Sequence, residues 1–167
     1  IEFACMMYKI DDTKNMFYVQ SYSTLIAPDA FEVKNTDIHG IETNHLMEYG
    51  QSMADVLEYI NDNFVTKCDE IVGHNVSFDV SILLSETCRL IDSVKPNTRS
   101  NSKRFHTIYE NIKNKPIFCT MKFFKEKMNW PKWPKLVEMY NALHPNKPCT
   151  QRHRALDDVK LTATCYK

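Results

Sequence analysis

No apolar run in this 167-residue chain is long enough to cross a bilayer, and its start lacks the basic, apolar and small-residue succession of a signal peptide. The expectation is a soluble cytoplasmic or otherwise intracellular protein with no membrane partner. An excess of either charge is also missing: Lys plus Arg and Asp plus Glu both number 21. A polyanion would have to be held by a local basic patch or by metal ions, and simple coating of a duplex is disfavoured. CxxC pairs are absent. The six cysteines (Cys5, Cys68, Cys88, Cys119, Cys149 and Cys165) are scattered, several within apolar stretches, and read as reduced core thiols rather than a zinc or redox site. Glycine is scarce, with three residues in all. One of them, Gly40, stands in the irregular stretch APDAFEVKNTDIHGIE, where it marks a tight backbone in a loop.

What remains is the composition of a globular protein, 43% hydrophobic and 25% charged, of a length that suits one domain with one core. IEFACMMYKI and MFYVQSYSTLI, separated by DDTKN, read as a β-hairpin. In MADVLEYINDNFV the residues Met53, Val56, Leu57, Ile60 and Phe64 recur at helical spacing. EIVGHN is a short apolar strand whose carboxyl end carries His74 and Asn75, and VSFDVSILLSETCRLI continues as a helix. Strand, polar tip and helix form the α/β pattern in which ligands bind beyond the carboxyl ends of strands. Residues 93–115 are polar and basic; a solvated insertion or surface helix is the favoured reading, and an arm gripping phosphates the alternative. PIFCTMKFF reads as a strand running into a helix, WPKLVEMYNALH as a helix from its proline, and RALDDVKLTATCYK as the last helix.

The stretch HRALDDVK places two adjacent aspartates after His153. On a helical wheel Ala155, Leu156, Val159, Ala163 and Tyr166 define the buried face. Asp157 then falls opposite that face beside Lys160, whereas Asp158 falls at its edge near Thr162 and Cys165, where a carboxylate needs a partner. His153 precedes the helix in a stretch that reads as a loop. Asp79 lies in the first turns of an otherwise apolar helix, where a charge faces a cation, a donor or the helix dipole.

In this order GHNVSFD and HRALDD resemble the second and third motifs of the DEDDh, or DnaQ-like, 3′ to 5′ exonuclease superfamily, which includes proofreading exonucleases. The resemblance runs along the whole chain. NTDIHGI is similar to the loop that touches the terminal nucleotide, and CTMKFF with KWPKLVEMYNAL resembles the segment between the second and third motifs. It implies an α/β, ribonuclease H-like fold with a mixed central sheet flanked by helices. It also implies two divalent ions, Mg2+ or Mn2+, with Asp79 and Asp158 among their ligands and His153 as the base that takes a proton from the attacking water. Ile38, His39, Gly40 and Ile41 would form the shelf under the terminal base. His74 and Asn75 either satisfy local backbone or touch the nucleic acid, and Phe78 packs in the core or at the edge of the site, with the core preferred. Trp130 and Trp133 could stack on a base, although packing is the commoner role beside WPKL.

The family's first motif, D-x-E, has no counterpart, because no Asp here has a Glu two residues later. Ile1 opens the chain inside an apolar run, so the expectation is one exonuclease domain over residues 1–167 whose first strand lies upstream; Glu2 is a poor substitute for the missing acids. The implied partner is the 3′ end of single-stranded DNA, with a DNA polymerase subunit as a further one. The expected function is release of nucleoside 5′-monophosphates in proofreading or repair. The alternatives are an RNA exonuclease on the same fold and an inactive nucleic-acid-binding or polymerase-docking domain.

Overall fold

The computed structural model describes residues 2–28, 40, 42–93, 99–150 and 154–167, with the side chains of residues 99–101 left out. The hairpin is present: β1 (Glu2–Ile10) pairs antiparallel with β2 (Met16–Leu25). Its turn is held by the Asp11 carboxylate, which accepts from the backbone N–H groups of Thr13 and Asn15. Two helices follow, α1 (Thr43–Tyr49) and α2 (Met53–Ile60), and α2 runs into a π-turn at Asn61–Val65. The helical spacing read from MADVLEYINDNFV holds: Met53, Val56, Leu57, Ile60 and Phe64 are all buried, the last of them across the π-turn. Ser52 caps α2 by accepting the Asp55 N–H.

The α/β unit comes next, with β3 (Ile71–Gly73), α3 (Val76–Ser93), α4 (Arg99–Lys113), β4 (Ile117–Cys119) and α5 (Thr120–Lys127). β3 and β4 pair in parallel, Ile71 with Ile117 through Gly73 with Cys119. α6 (Leu136–Leu143) and α7 (Ala155–Tyr166) complete the seven α-helices among the described residues. Strand directions are therefore mixed, as expected for the fold class. The sheet is divided into two pairs, β1 with β2 and β3 with β4. Among the described residues β1 and β3 each keep one edge without a strand partner, and α7 packs against both strands. Although β1 is an apolar run, none of its residues is fully buried.

Two expectations are corrected in the packing. The surface-helix reading of the polar, basic stretch is incomplete: α4 exposes half of its described side chains but contributes Phe105, Ile108 and Ile112 to the largest core cluster, against Val56, Leu57 and Ile60 of α2. Nor is the stretch free to grip phosphates with all its cations, since Arg104 is spent on Asp62 at 2.7 Å and Glu58 at 3.2 Å, and the Lys115 ammonium donates to the Cys68 carbonyl at 2.7 Å. α6 does not begin at its proline either. Pro134 lies two residues ahead of it, fully buried, and the first turn is stabilised where the Lys135 N–H donates to the Glu138 carboxylate at 2.9 Å.

All six cysteines are free thiols, as read, yet only Cys165 is fully buried and Cys88 is exposed. Burial pushes the Cys5 thiol up to about 12 and the Cys165 thiol up to about 11, so both stay protonated and unreactive at neutral pH. Among the described residues no helix is long and apolar enough to cross a membrane.

Candidate active site

The carboxyl end of β3 organises the site. A Cβ on Gly73 would stand 2.9 Å from the Val76 Cβ, so the strand can turn this sharply into α3 only with glycine there. Asn75 completes the turn in the left-handed region, at φ 67°, which asparagine tolerates better than most residues. Together these two residues place Asp79 in the first turn of α3, close to the strand tip.

Asp79 keeps an exposed outer surface, but the protein around its carboxyl desolvates it and raises its pKa. The residue's own backbone N–H pulls in the opposite direction without cancelling the effect. A carboxylate so placed is stabilised by a nearby cation. Phe78, by contrast, is 62% exposed, which overturns the core reading and puts an aromatic ring on the surface beside Asp79.

His74 is engaged on both ring nitrogens: Nε2 lies 2.9 Å from the Pro134 carbonyl and Nδ1 lies 3.2 Å from Thr120 Oγ1. Since a carbonyl only accepts, Nε2 carries the proton. Burial lowers the His74 pKa, outweighing the Pro134 carbonyl and the Asp158 carboxylate, both of which raise it. Of the two readings left open for His74, the structural one therefore prevails: the ring ties β3 to α5 and to the segment ahead of α6. Asp158 also acts electrostatically on His74 at the end of β3, the strand that α7 packs against. Asn75 is exposed and remains open to a ligand.

The wheel read from RALDDVKLTATCYK is corrected in its centre. Thr162 and Cys165 are the fully buried residues of α7, whereas Ala155, Leu156, Val159, Ala163 and Tyr166 are half-buried. The reason is that α7 is covered from more than one side. It meets β1 and β3, while Cys165 and Leu161 pack with Leu136 and Met139 of α6. Asp158 thus shares a stripe with Thr162 and Cys165, one and two turns on, rather than lying at the edge of the packed surface. Asp157 does not project into water beside Lys160; it is half-buried and within electrostatic reach of Arg154.

Glu2 has a role that the sequence reading missed. Its carboxylate accepts from Arg154 Nε and Nη2, both at 3.0 Å, and from the Ala155 backbone N–H at 3.0 Å. It therefore caps the first turn of α7 and fixes the residue that follows His153. No local signal reveals this, because 152 residues separate Glu2 from Arg154. Desolvation raises the Glu2 carboxyl, but the Arg154 and Ala155 hydrogen bonds outweigh it and hold the pKa below 4.5. A depressed carboxylate contributes stability that is present above about pH 4.5 and lost as pH falls through the folded-state value. Glu2→Gln should cost about 1 kcal/mol at neutral pH, given that Arg154 is half exposed and screened. The difference from the native protein should shrink below pH 4 in urea titrations; a constant difference from pH 7 to pH 3 would contradict the clamp.

Of the other residues read as functional, Gly40 is exposed and left-handed, at φ 67°, so the tight backbone expected there is present. His153, Ile38, His39 and Ile41 lie outside the described residues. No group of three or more His, Cys, Asp or Glu side chains converges as a metal site among the described residues. Asp79 and Asp158 supply the hard oxygen donors that magnesium or manganese prefers. They fit such an ion as part of a ligand set, not as the whole of it.

A family model described as exonuclease, of the RNase T type, matches residues 1–166. No curated protein matches the chain. With its ribonuclease H-like α/β architecture and its acidic residues at the tip of β3, the chain belongs to the exonuclease family and is a nuclease of the DnaQ and RNase T kind.

Proposed function

We propose that this chain is the greater part of a metal-dependent 3′ to 5′ exonuclease that removes nucleoside 5′-monophosphates one at a time from single-stranded DNA, in proofreading or repair. The observation that carries this reading is the arrangement at β3, with Asp79 in the first turn of α3 directly after the strand and α7, which bears Asp158, packed against the same strand. Asp79 and Asp158 would hold divalent ions, which when bound activate water and offset charge on the scissile phosphate. His153 would take the proton from the attacking water, and the Glu2 clamp on Arg154 would steady the chain beside it. Gly40 with Ile38, His39 and Ile41 would support the terminal base, and Phe78 and Asn75, both exposed, would contact the nucleic acid as well.

We further propose that an upstream strand bearing two acidic residues joins the sheet between β1 and β3. Both strands have an unpaired edge among the described residues, both contact α7, and β1 has no fully buried residue despite its apolar sequence. A strand there would cover that surface and bring its carboxylates beside Asp158. The domain would then extend beyond residues 1–167.

A binding module without catalysis is the second reading, favoured by the lack of a third converging ligand among the described residues. Thermal shift on the protein with its upstream strand separates the two. The enzyme should gain stability with millimolar magnesium or manganese and lose that gain in Asp79→Asn. Equal melting temperatures with and without the metals would favour the module. Matched DNA and RNA oligonucleotides then report the sugar preference, with faster loss of DNA expected.

A further inference from the structure

The two tryptophans beside WPKL have different surroundings. Trp130 is half-buried and packs against the cluster of Leu136, Met139 and Cys165. Trp133 is 54% exposed. Packing therefore explains the first ring and leaves the second unexplained.

Trp133 is nevertheless held in place. The Lys125 ammonium donates to the Trp130 carbonyl at 3.1 Å and stands 5.0 Å from the Trp133 ring centroid, a cation–π contact that steadies the ring. The next residue, Pro134, is fully buried, and its carbonyl accepts from His74 Nε2 at 2.9 Å. This bond ties the Trp133 segment to the tip of β3, the strand end that leads into α3 and Asp79. An exposed indole is thus held at a fixed place close to the candidate active site.

The charge around it is one-sided in an otherwise neutral chain. Between residues 120 and 135 there are five lysines, Lys122, Lys125, Lys127, Lys132 and Lys135, and one acidic residue, Glu126. Lys132 is neutralised by Glu138 at 2.6 Å, and Lys125 is engaged under the ring. Lys122, Lys127 and Lys135 remain exposed, Lys127 with its ammonium 5.2 Å from the Phe123 ring centroid. An exposed indole on a lysine-rich stretch of chain is a combination that suits single-stranded nucleic acid, the ring stacking on a base and the cations meeting the phosphates.

Resting on the nuclease reading above, we infer that Trp133 is a stacking platform for a base of the single-stranded nucleic acid substrate, with Lys122, Lys127 and Lys135 gripping the backbone beside it. The platform lies outside the loop around Gly40 and takes a nucleotide other than the terminal one. Since stacking is tolerant of sequence, it contributes affinity and leaves base preference unchanged.

The test measures binding of a fluorescein-labelled oligothymidylate by anisotropy in EDTA, where magnesium-dependent hydrolysis is stopped. Trp133→Ala should weaken binding roughly tenfold, and Trp133→Phe should hold it within about threefold, because a ring still stacks. Tryptophan emission gives a second reading that needs no loss of affinity: the strand should quench the native protein, and the quenching should disappear in Trp133→Phe, whose remaining indole is the half-buried Trp130. An annealed duplex should bind less tightly than the single strand. Native-like affinity in Trp133→Ala, or unchanged quenching in Trp133→Phe, overturns the platform while leaving the nuclease reading intact. No binding of any oligonucleotide by the native protein overturns both.

Discussion

Asp158→Ala should abolish magnesium-dependent release of mononucleotides by a protein that carries the proposed upstream strand, while Asp157→Ala should leave most of it. Partners of metal ligands typically cost 10- to 100-fold when removed, so loss of a ligand itself should exceed about 100-fold. The two adjacent aspartates offer an internal control. Both sit in the first turn of α7 and both favour the helix N-terminus by their charge, so a general electrostatic effect on the helix would be shared. Only Asp158 is within electrostatic reach of His74 at the tip of β3; Asp157 acts on Arg154 instead. Initial rates of mononucleotide release, with circular dichroism to verify folding, would check this. Equal loss in the two variants would show that the first turn matters as a whole and that Asp158 has no special part.

Ile108→Ala should be among the most destabilising single changes, costing about 2–5 kcal/mol. Ile108 is 0% exposed and lies between Phe105 and Ile112 on α4, in the cluster that α2 builds with Val56, Leu57 and Ile60. Truncation leaves a cavity walled by two helices that are themselves tied together, since Arg104 of α4 bridges Glu58 of α2 and Asp62 of the π-turn, and the Asn111 amide donates to Asn61 Oδ1 at 2.9 Å. Those polar ties oppose collapse of the helices into the void, which places the cost in the upper part of the range. Urea unfolding would measure it. A loss below about 1 kcal/mol would mean that α4 is the peripheral helix its composition suggests.

That contrast shows where the amino-acid pattern was informative. The helix carrying Met53, Val56, Leu57 and Ile60 is legible because its apolar residues dominate their window and face one way. In α4 the same information rests on three apolar residues, Phe105, Ile108 and Ile112, among many polar and basic ones, and composition masks the spacing. α7 misled for a different reason. A wheel assumes one buried face, whereas this helix is enclosed by β1, β3 and α6, so its most buried stripe runs through Thr162 and Cys165 rather than through the most apolar side.

Asp79 was readable as a charge in an apolar helix, and the structure adds the reason for its position: Gly73 and Asn75 turn the chain so tightly that the first turn of α3 meets the strand tip. Phe78, its neighbour, read as core because aromatics in apolar helices usually are; its exposure follows from lying on the face of α3 turned away from the core cluster that Val80, Leu83 and Leu84 approach. Long-range ties such as Glu2 to Arg154 and His74 to Pro134 leave no mark in a local pattern, yet they position the candidate site.

The most direct test is the product pattern, on a 5′-labelled single-stranded DNA oligonucleotide in magnesium, of a protein that carries the proposed upstream strand. The account predicts a ladder shortening from the 3′ end by single nucleotides, nucleoside 5′-monophosphates as the released product, and no reaction in EDTA. Internal cuts, release of nucleoside 3′-monophosphates, or full activity in EDTA would contradict it.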